Sequence, residues 1–340
     1  MSKAKPAVVP LHQLVPHQPA DFFALLAEKT RKTTRDGRTF FELKFRDLRR
    51  TVAVAVWPES DLYARCETEL QAGGFFKIRG TFAEHPKYGA QVEVAQLREV
   101  READAADGFR EADFFDRSRF DSEAMFAELR TLAEAEIADL PLRKLTVELL
   151  DANAVTLKQL PATKDRFHPF PGGWLEHVLN VTKNCLFLVD RYRAHYPELT
   201  PPLNRDAVIA SAILHDLGRV AELQLPAVPG QPVGTTVDGE LFGHQLLCRD
   251  MVRDHARTIP ELNADLLKLI EHVIVSHLAL PAWGSLRLPA VPEVLILHHA
   301  DDLDAKMEMY ARCLIRDPSA GPFTDPDPVL KRPLWKARSV

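Results

Sequence analysis

The sequence predicts a two-domain chain in which a small antiparallel β-barrel is followed by an all-α domain. Three observations carry this expectation. Apolar and polar residues alternate at period two between about residues 20 and 100, then apolar residues recur at helical spacing from Asp121 onward. An acidic stretch, 101–120, separates the two patterns. The length of 340 residues suits about two domains of roughly 150 residues each.

In the first part, residues 15–100, Asp21 to Thr30 is the first strand candidate. Thr39 to Asp47 puts Phe41, Leu43 and Phe45 on one side and Phe40, Glu42, Lys44 and Arg46 on the other, and Asp36-Gly37 before it signals a hairpin turn. Thr51 to Trp57 gathers Val52, Val54 and Val56 on one face, Phe75 to Phe82 follows Gly73-Gly74, and Tyr88 to Leu97 closes the set. About five strands is the number a small antiparallel barrel or sandwich uses. Residues 101–120 lack a regular apolar period and read as an acidic linker.

The second part, 121–316, opens on an amphipathic stripe of Met125, Leu129, Leu132, Ile137 and Leu140. Leu142 to Leu150 and Leu175 to Val189 continue it, and helical patterns recur at 206–217, 241–258, 262–278 and 292–315, with a proline-rich turn from Leu225 to Val233. The Pro-rich tail, 317–340, is expected to be irregular.

Composition narrows the function classes. With 46% hydrophobic and 27% charged residues the balance is that of an ordinary soluble protein. No uncharged apolar run reaches the roughly 18 to 20 residues of a membrane helix, and MSKAKPAVVP lacks the apolar core of a signal peptide, so a cytoplasmic location is expected. Cys66, Cys185, Cys248 and Cys313 are far apart without CxxC spacing, which argues against a disulfide framework or zinc ribbon and for buried thiols. The net charge of −5 divides into +4 for residues 1–100 and −9 for the rest, which favours an anionic partner for the first part.

Ten of the thirteen histidines fall between residues 168 and 299, several where an apolar helix face should continue. The helix ending at Leu217 is apolar nearly all round yet carries His215-Asp216. Burying a carboxylate beside an imidazole is costly unless a charge compensates it, and a metal ion would. His277 continues the stripe of Ile270, Val273 and Ile274, whereas His272 lies roughly 140° away around the helix. Asp301 extends the stripe of Val294, Leu297 and His298, and His177 and His244 each follow glycine-containing strings, GGWLEH and GELFGH. His177, His215, Asp216, His244, His277 and Asp301 thus offer imidazole and carboxylate from five helical segments, a mixed donor set for divalent ions that carboxylates can bridge. His12, His17, His85, His195 and His255 lie in polar surroundings and are read as surface or structural.

The pattern H…HD…H…H…D, with LHDLGR at 214–219 and HHADDLDAKM at 298–307, resembles the HD-domain metal-dependent phosphohydrolases. GGWLEH at 172–177, ILHDLGR at 213–219, the glycine-histidine at 243–244, AWGS at 282–285 and LDAKM at 303–307 are similar to the YhaM-type 3′→5′ exoribonucleases. That resemblance, over roughly residues 15–315, implies an N-terminal OB-fold and a C-terminal HD domain. It also implies that His177, His215, Asp216 and Asp301 hold a first metal, with Asp216 bridging to a second that His244 and His277 help bind. Manganese comes first among the ions expected. Family members commonly carry a second histidine where this chain has Leu278, with His272, His298 and His299 as candidates to compensate.

Two ions can activate water and clamp phosphate oxygens during in-line displacement. Arg219 and Lys306 are candidates to neutralise charge on the phosphate beside Asp216, and His168 matches a family histidine that would touch nucleic acid. On the barrel, Phe40, Lys44 and Arg46 on one strand and Phe75, Lys77 and Arg79 on another offer rings for bases and cations for phosphates. The alternative is that Phe40 and Phe75 are barrel core, since each has an aromatic neighbour and only one of the pair can face inward, and Trp57 and Tyr88 are open to the same two readings. The expected activity is metal-dependent hydrolysis of single-stranded RNA, with single-stranded DNA as an alternative strand, to nucleoside 5′-monophosphates. Self-association is a further expectation of the resemblance. Two other readings stay open: an HD-domain nucleotide or cyclic-nucleotide phosphohydrolase, and a non-catalytic nucleic-acid-binding protein.

Overall fold

The computed structural model describes residues 8–34, 36–85, 89–226, 232–317 and 319–336. The chain divides between Asp116 and Arg117 into two compact units.

In the first unit, β1 (Pro19–Thr33), β2 (Thr39–Arg46), β3 (Thr51–Val56), β4 (Phe75–His85) and β5 (Gly89–Glu99) pair in the order β1-β2-β3-β5-β4. β4 returns to β1, so the five strands close on themselves. The pairings are antiparallel except for a parallel β3–β5 contact at Ala53 and Gln91. One strand can serve two neighbours because β1 is 15 residues long and carries a bulge between Leu26 and Glu28, pairing with β4 before it and mainly with β2 after it. The period-two pattern is realised: Phe41, Leu43, Phe45, Val52, Val54 and Val56 are buried. A short helix, α1 (Leu62–Thr68), connects β3 to β4 and buries Cys66. Tyr88 lies outside the described residues.

The expected acidic linker is corrected. Glu102–Asp107 and Glu111–Phe114 form 3-10 turns that belong to the first unit as far as Asp116. Phe109, Phe114 and Phe115 pack with Phe23, Leu25 and Phe75. Asp104 accepts hydrogen bonds from Lys77 Nζ at 3.2 Å and from both terminal nitrogens of Arg98 at 2.6 Å, and Lys77 also pairs with Asp107. The acidity of this stretch is therefore the complement of the basic residues on β4 and β5. The Arg98 hydrogen bonds favour the charge on Asp104 more strongly than burial opposes it, so its carboxyl is held well below the usual range.

This packing also corrects part of the expected nucleic-acid face. Phe75 is enclosed by phenylalanine rings 5.4 Å away, and Lys77 is buried. Arg46 donates to the Phe114 carbonyl at 3.1 Å, and Arg79 is held by Asp21 at 2.6 and 2.8 Å. Phe40 and Lys44 lie further along the outward face of β2 that ends at Arg46. Phe40 stacks on Trp57 at 4.7 Å, Arg38 lies 5.2 Å above the Trp57 ring, and Lys44 pairs with Glu28.

The second unit is helical: α2 (Ser122–Glu136), α3 (Leu140–Leu157), α4 (Gly173–His195), α5 (Arg205–Leu214), α6 (Arg219–Glu222), α7 (Val237–Ala256), α8 (Ala264–Ser276) and α9 (Pro292–Arg316). Side-chain caps set several starts. Asp121, Asp139, Asn204, Thr236 and Asn263 each accept from a backbone N–H in the first turn that follows. The cap at Asp139 explains why the stripe from Met125 to Leu140 spans two helices. Every residue of α5 from Ala207 to Leu214 is buried, as its uniformly apolar sequence requires. Flanking the proline-rich turn, two short strands, β6 (Leu223–Gln224) and β7 (Gly234–Thr235), pair with each other. The tail is irregular but tied down by a bridge between Phe323 and Trp335 and by Lys336 donating to Asp317 at 2.6 Å. All four cysteines are buried and unpaired. No helix among the described residues is long and apolar enough to cross a membrane.

Candidate metal centre

Five segments of the second unit converge on one point. α4 supplies His177, the turn after α5 supplies His215 and Asp216, α7 supplies His244, the end of α8 supplies His277, and α9 supplies Asp301. All six are buried. Their imidazoles form an arc, with ring centroids 5.6 Å apart for His177–His215, 5.1 Å for His215–His277 and 5.7 Å for His244–His277. Asp301 Oδ1 lies 3.1 Å from His177 Nε2, and Asp216 Oδ1 lies 3.3 Å from His244 Nε2.

Local structure holds this arrangement. The buried Trp174 indole donates to the Asp216 carbonyl at 2.9 Å, fixing the turn that presents the aspartate. Gly218 lets α7 approach that turn: a Cβ there would sit 2.0 Å from the His244 carbonyl oxygen and 2.6 Å from the Cys248 nitrogen. Gly243, at φ 70°, breaks α7 and starts its second half at His244.

The rings are oriented from behind. His215 Nδ1 donates to the Ala212 carbonyl at 2.9 Å and His277 Nδ1 to the Ile274 carbonyl at 2.7 Å. His177 Nδ1 donates to Asp304 at 2.7 Å. In each case Nε2 is the atom turned toward the centre, which is how ligating histidines are commonly held. His215 Nε2 is buried with no hydrogen-bond partner, and His177 Nε2, His244 Nε2 and Asp216 Oδ1 are buried with only the close His177–Asp301 and His244–Asp216 approaches beside them, neither in hydrogen-bond alignment. Such orphaned atoms are rare in a packed interior and fit a cation. Three groups of side chains among the described residues have donor atoms within 4.8 Å of one another: His168–His177–Asp304 behind the His177 ring, and His177–His215–Asp216 and Asp216–His244–His277, which share Asp216 and could each hold an ion.

The charge states agree. Burial opposes ionisation of Asp216, but Arg219 and the His244, His215 and His277 rings hold its carboxyl well below the carboxylate range. Burial lowers the pKa of His215 and, with His215 as neighbour, lowers that of His277 to about 4. His177 goes the other way: burial disfavours its charge, but the Asp301 and Asp304 carboxylates push its pKa up to about 10.

The centre lines a cavity of about 700 Å³. Arg219 lies in the wall but is engaged by Glu222 at 2.5 Å and Asp216 at 3.5 Å, while the solvent-facing Lys306 pairs with Asp302 at 2.7 Å. The expected substrate contact of His168 is corrected. The ring is buried behind His177, its Nε2 bonds Asp304 at 3.0 Å, and it does not line the cavity. Leu278 lines the wall, and none of the three-residue groups uses position 278. Of the candidates to compensate, His272 accepts from the Ala290 N–H and His299 is exposed, while His298 lines the cavity but spends Nδ1 on the His277 carbonyl.

Asp304, Glu222 and Trp283 belong to this site without having been expected there. Asp304 lies three residues after Asp301 and hence on the same helix face, a spacing that the sequence does carry. Glu222 carries no such signal, and Trp283 is marked only by its place in the AWGS string.

Residues 174–306 match the HD domain family. The matched segment begins in α4 and ends in α9, so it contains all six converging side chains. HD domains are typically those of metal-dependent phosphohydrolases, and the donor set and cavity described above fit that chemistry. A solved structure of Entamoeba histolytica asparaginyl-tRNA synthetase in complex with asparaginyl-adenylate aligns with 48% of this chain and 40% of its own length, at 10% identity and a TM-score of 0.22. At that score the similarity carries no argument.

Proposed function

We propose that this protein is a metal-dependent 3′→5′ exoribonuclease that holds single-stranded RNA and releases nucleoside 5′-monophosphates. The observation that carries the hydrolytic part is the pair of donor groups sharing Asp216 inside a cavity roomy enough for a nucleotide. The finer reading, RNA as substrate and the 3′ end as starting point, is supported by the YhaM-like strings at 172–177, 213–219, 282–285 and 303–307.

His177, His215, Asp216 and Asp301 would hold one divalent ion, and His244, His277 and the shared Asp216 a second, with manganese first among the candidates. When bound, such ions activate the attacking water and polarise the phosphoryl group. The chain's own contribution is orientation and charge. Asp304 and the backbone carbonyls behind the rings aim Nε2 at the ion, and Lys306 at the cavity wall offers a cation to a phosphate oxygen. Arg219 acts through Asp216 and Glu222, between which its guanidinium is shared.

The strand order β1-β2-β3-β5-β4 with α1 between β3 and β4 supports an OB-fold for the first unit. Such barrels bind single strands on the β2–β3 side. Phe40, Trp57, Arg38 and Lys44 are on or beside those strands and are the groups we assign to RNA.

Incubating the purified protein with 5′-labelled single-stranded RNA and Mn²⁺ tests the proposal. Stepwise shortening of the labelled strand supports it. Turnover of mononucleotides or cyclic nucleotides alone would move the assignment to a nucleotide phosphohydrolase, and retention of RNA without turnover to a non-catalytic binding protein.

A further inference from the structure

The cavity has an apolar portion that the hydrolytic chemistry does not need. Leu278, Ala282, Trp283, Ala305 and Met309 line it together with the histidines and aspartates. Trp283 is 53% exposed, so the ring that faces this cavity is open to a ligand.

The indole is held firmly. It stacks on the His298 imidazole with centroids 5.6 Å apart and planes 23° apart. His298 is itself buried and donates through Nδ1 to the His277 carbonyl at 2.8 Å. Trp283 is thereby tied through one ring to a residue of the histidine–aspartate centre. Its backbone sits in a tight turn: Trp283 N–H donates to the Leu280 carbonyl at 2.9 Å, and Gly284, at φ 100°, donates to the Pro281 carbonyl at 3.0 Å. Lys306 Nζ is 5.8 Å from the indole centroid, and Lys164 and Arg166 also line the cavity. An aromatic shelf with apolar neighbours, beside cations and a phosphate-directed centre, fits a ligand that is flat and aromatic at one end and anionic at the other.

We propose that Trp283 is the stacking platform for the nucleobase of the nucleotide whose phosphate enters the histidine–aspartate centre. Leu278, Ala282, Ala305 and Met309 surround that base with apolar atoms. Because every base has a π-face, recognition by stacking accepts any of the four. This inference rests on reading the site as one that cleaves nucleotide phosphodiesters, and it makes Trp283 a substrate-positioning residue of that site.

The test uses the full-length, Mn²⁺-loaded protein titrated with AMP and with ribose 5-phosphate, followed by calorimetry and tryptophan emission. AMP is expected to bind and quench the emission, and ribose 5-phosphate to bind without quenching. Trp283→Leu should weaken AMP binding by roughly 5- to 150-fold, the range for loss of one base–aromatic stack, and leave ribose 5-phosphate binding unchanged, which also reports that the site is folded. Trp283→Tyr should recover most of the AMP affinity. Failure of AMP to bind, or equal AMP affinity in the wild type and the Leu variant, overturns the inference. Assaying RNA shortening with the same proteins separates the two readings. If the wild type leaves RNA intact while AMP affinity depends on Trp283, the exoribonuclease reading falls and the stacking platform stands. If RNA is shortened and Trp283→Leu changes neither KM nor AMP affinity, the platform falls and the exoribonuclease reading stands.

Discussion

The carboxylate of Asp304 accepts a hydrogen bond from His177 Nδ1 at 2.7 Å, and the same oxygen is 3.0 Å from His168 Nε2. Asp304 therefore orients His177 from behind while His168 braces the aspartate. Carboxylate partners of this kind typically change metal affinity or activity by about 10- to 100-fold when removed. Asp304→Ala should weaken Mn²⁺ binding within that range, measured by calorimetry. Asp304→Asn, which keeps an acceptor oxygen, should lose less. Equal affinity in all three proteins would mean that His177 does not contact the ion.

The same carboxylates make ion binding depend on pH. Burial works against a charged His177, but Asp301 and Asp304 overcome it and raise its pKa to about 10, so the metal-free ring keeps both protons at neutral pH. An ion taking Nε2 must displace one of them. Between about pH 6.5 and 10, Mn²⁺ binding should release about one proton, and affinity should rise with pH. The stability sign is opposite for the metal-free protein: a raised histidine pKa contributes fully below about 6.5, and that contribution is lost as pH rises toward 10. Calorimetry in buffers of different ionisation enthalpy counts the protons, and a count of zero would remove His177 from the ion.

Much of this centre was legible because it rests on helical period. His277 and Asp301 extend apolar stripes, and His215-Asp216 follow a helix buried throughout from Ala207 to Leu214, so their inward direction follows from spacing alone. The strands were legible for the same reason at period two. Asp304 shares that period with Asp301, but the contacts that hold the acidic stretch have none. Phe109, Phe114 and Phe115 reach the barrel through two 3-10 turns, and Asp104 meets Lys77 and Arg98 only in three dimensions. An acidic string that neutralises a basic face reads, in one dimension, like a solvated linker. Trp283 lies in the AWGS string, but a string carries a resemblance and gives no sign of which side a ring in a short loop faces.

The two units should be separable in function. Asp216 belongs to both donor groups, so Asp216→Ala should abolish Mn²⁺-dependent hydrolysis of single-stranded RNA. The residues assigned to RNA on the barrel belong to the other unit, so binding of the intact strand, followed by fluorescence anisotropy, should be nearly unchanged. Parallel loss of both would contradict this division of labour.

Salt dependence distinguishes the two faces of the barrel. Each phosphate left without its cation lowers the counterion-release slope by about 0.7 for single strands. The paired changes Arg38→Ala and Lys44→Ala should flatten the slope for RNA binding accordingly. Lys77→Ala should leave it unaltered, because that ammonium is buried between Asp104 and Asp107. Its effect should instead be on thermal stability, below the roughly 3–5 kcal/mol of a fully orphaned buried charge, since Arg98 still neutralises Asp104. A flatter slope for Lys77→Ala with unchanged melting would return RNA to the β4–β5 face.

Gly218 offers a test of the centre that touches no ligand. A methyl group there would meet the His244 carbonyl oxygen at 2.0 Å and Cys248 Cβ at 2.9 Å, both on α7, so the second half of that helix must move away from the turn carrying Asp216. Overpacking of this kind costs about 1–3 kcal/mol, or more where backbone is met. His244 belongs to one donor group and not to the other, so the displacement is selective. Gly218→Ala should lower the melting temperature and reduce Mn²⁺ stoichiometry from two toward one, with the remaining ion held by His177, His215, Asp216 and Asp301. Full retention of two ions in a folded variant would show that His244 is not needed to hold the second.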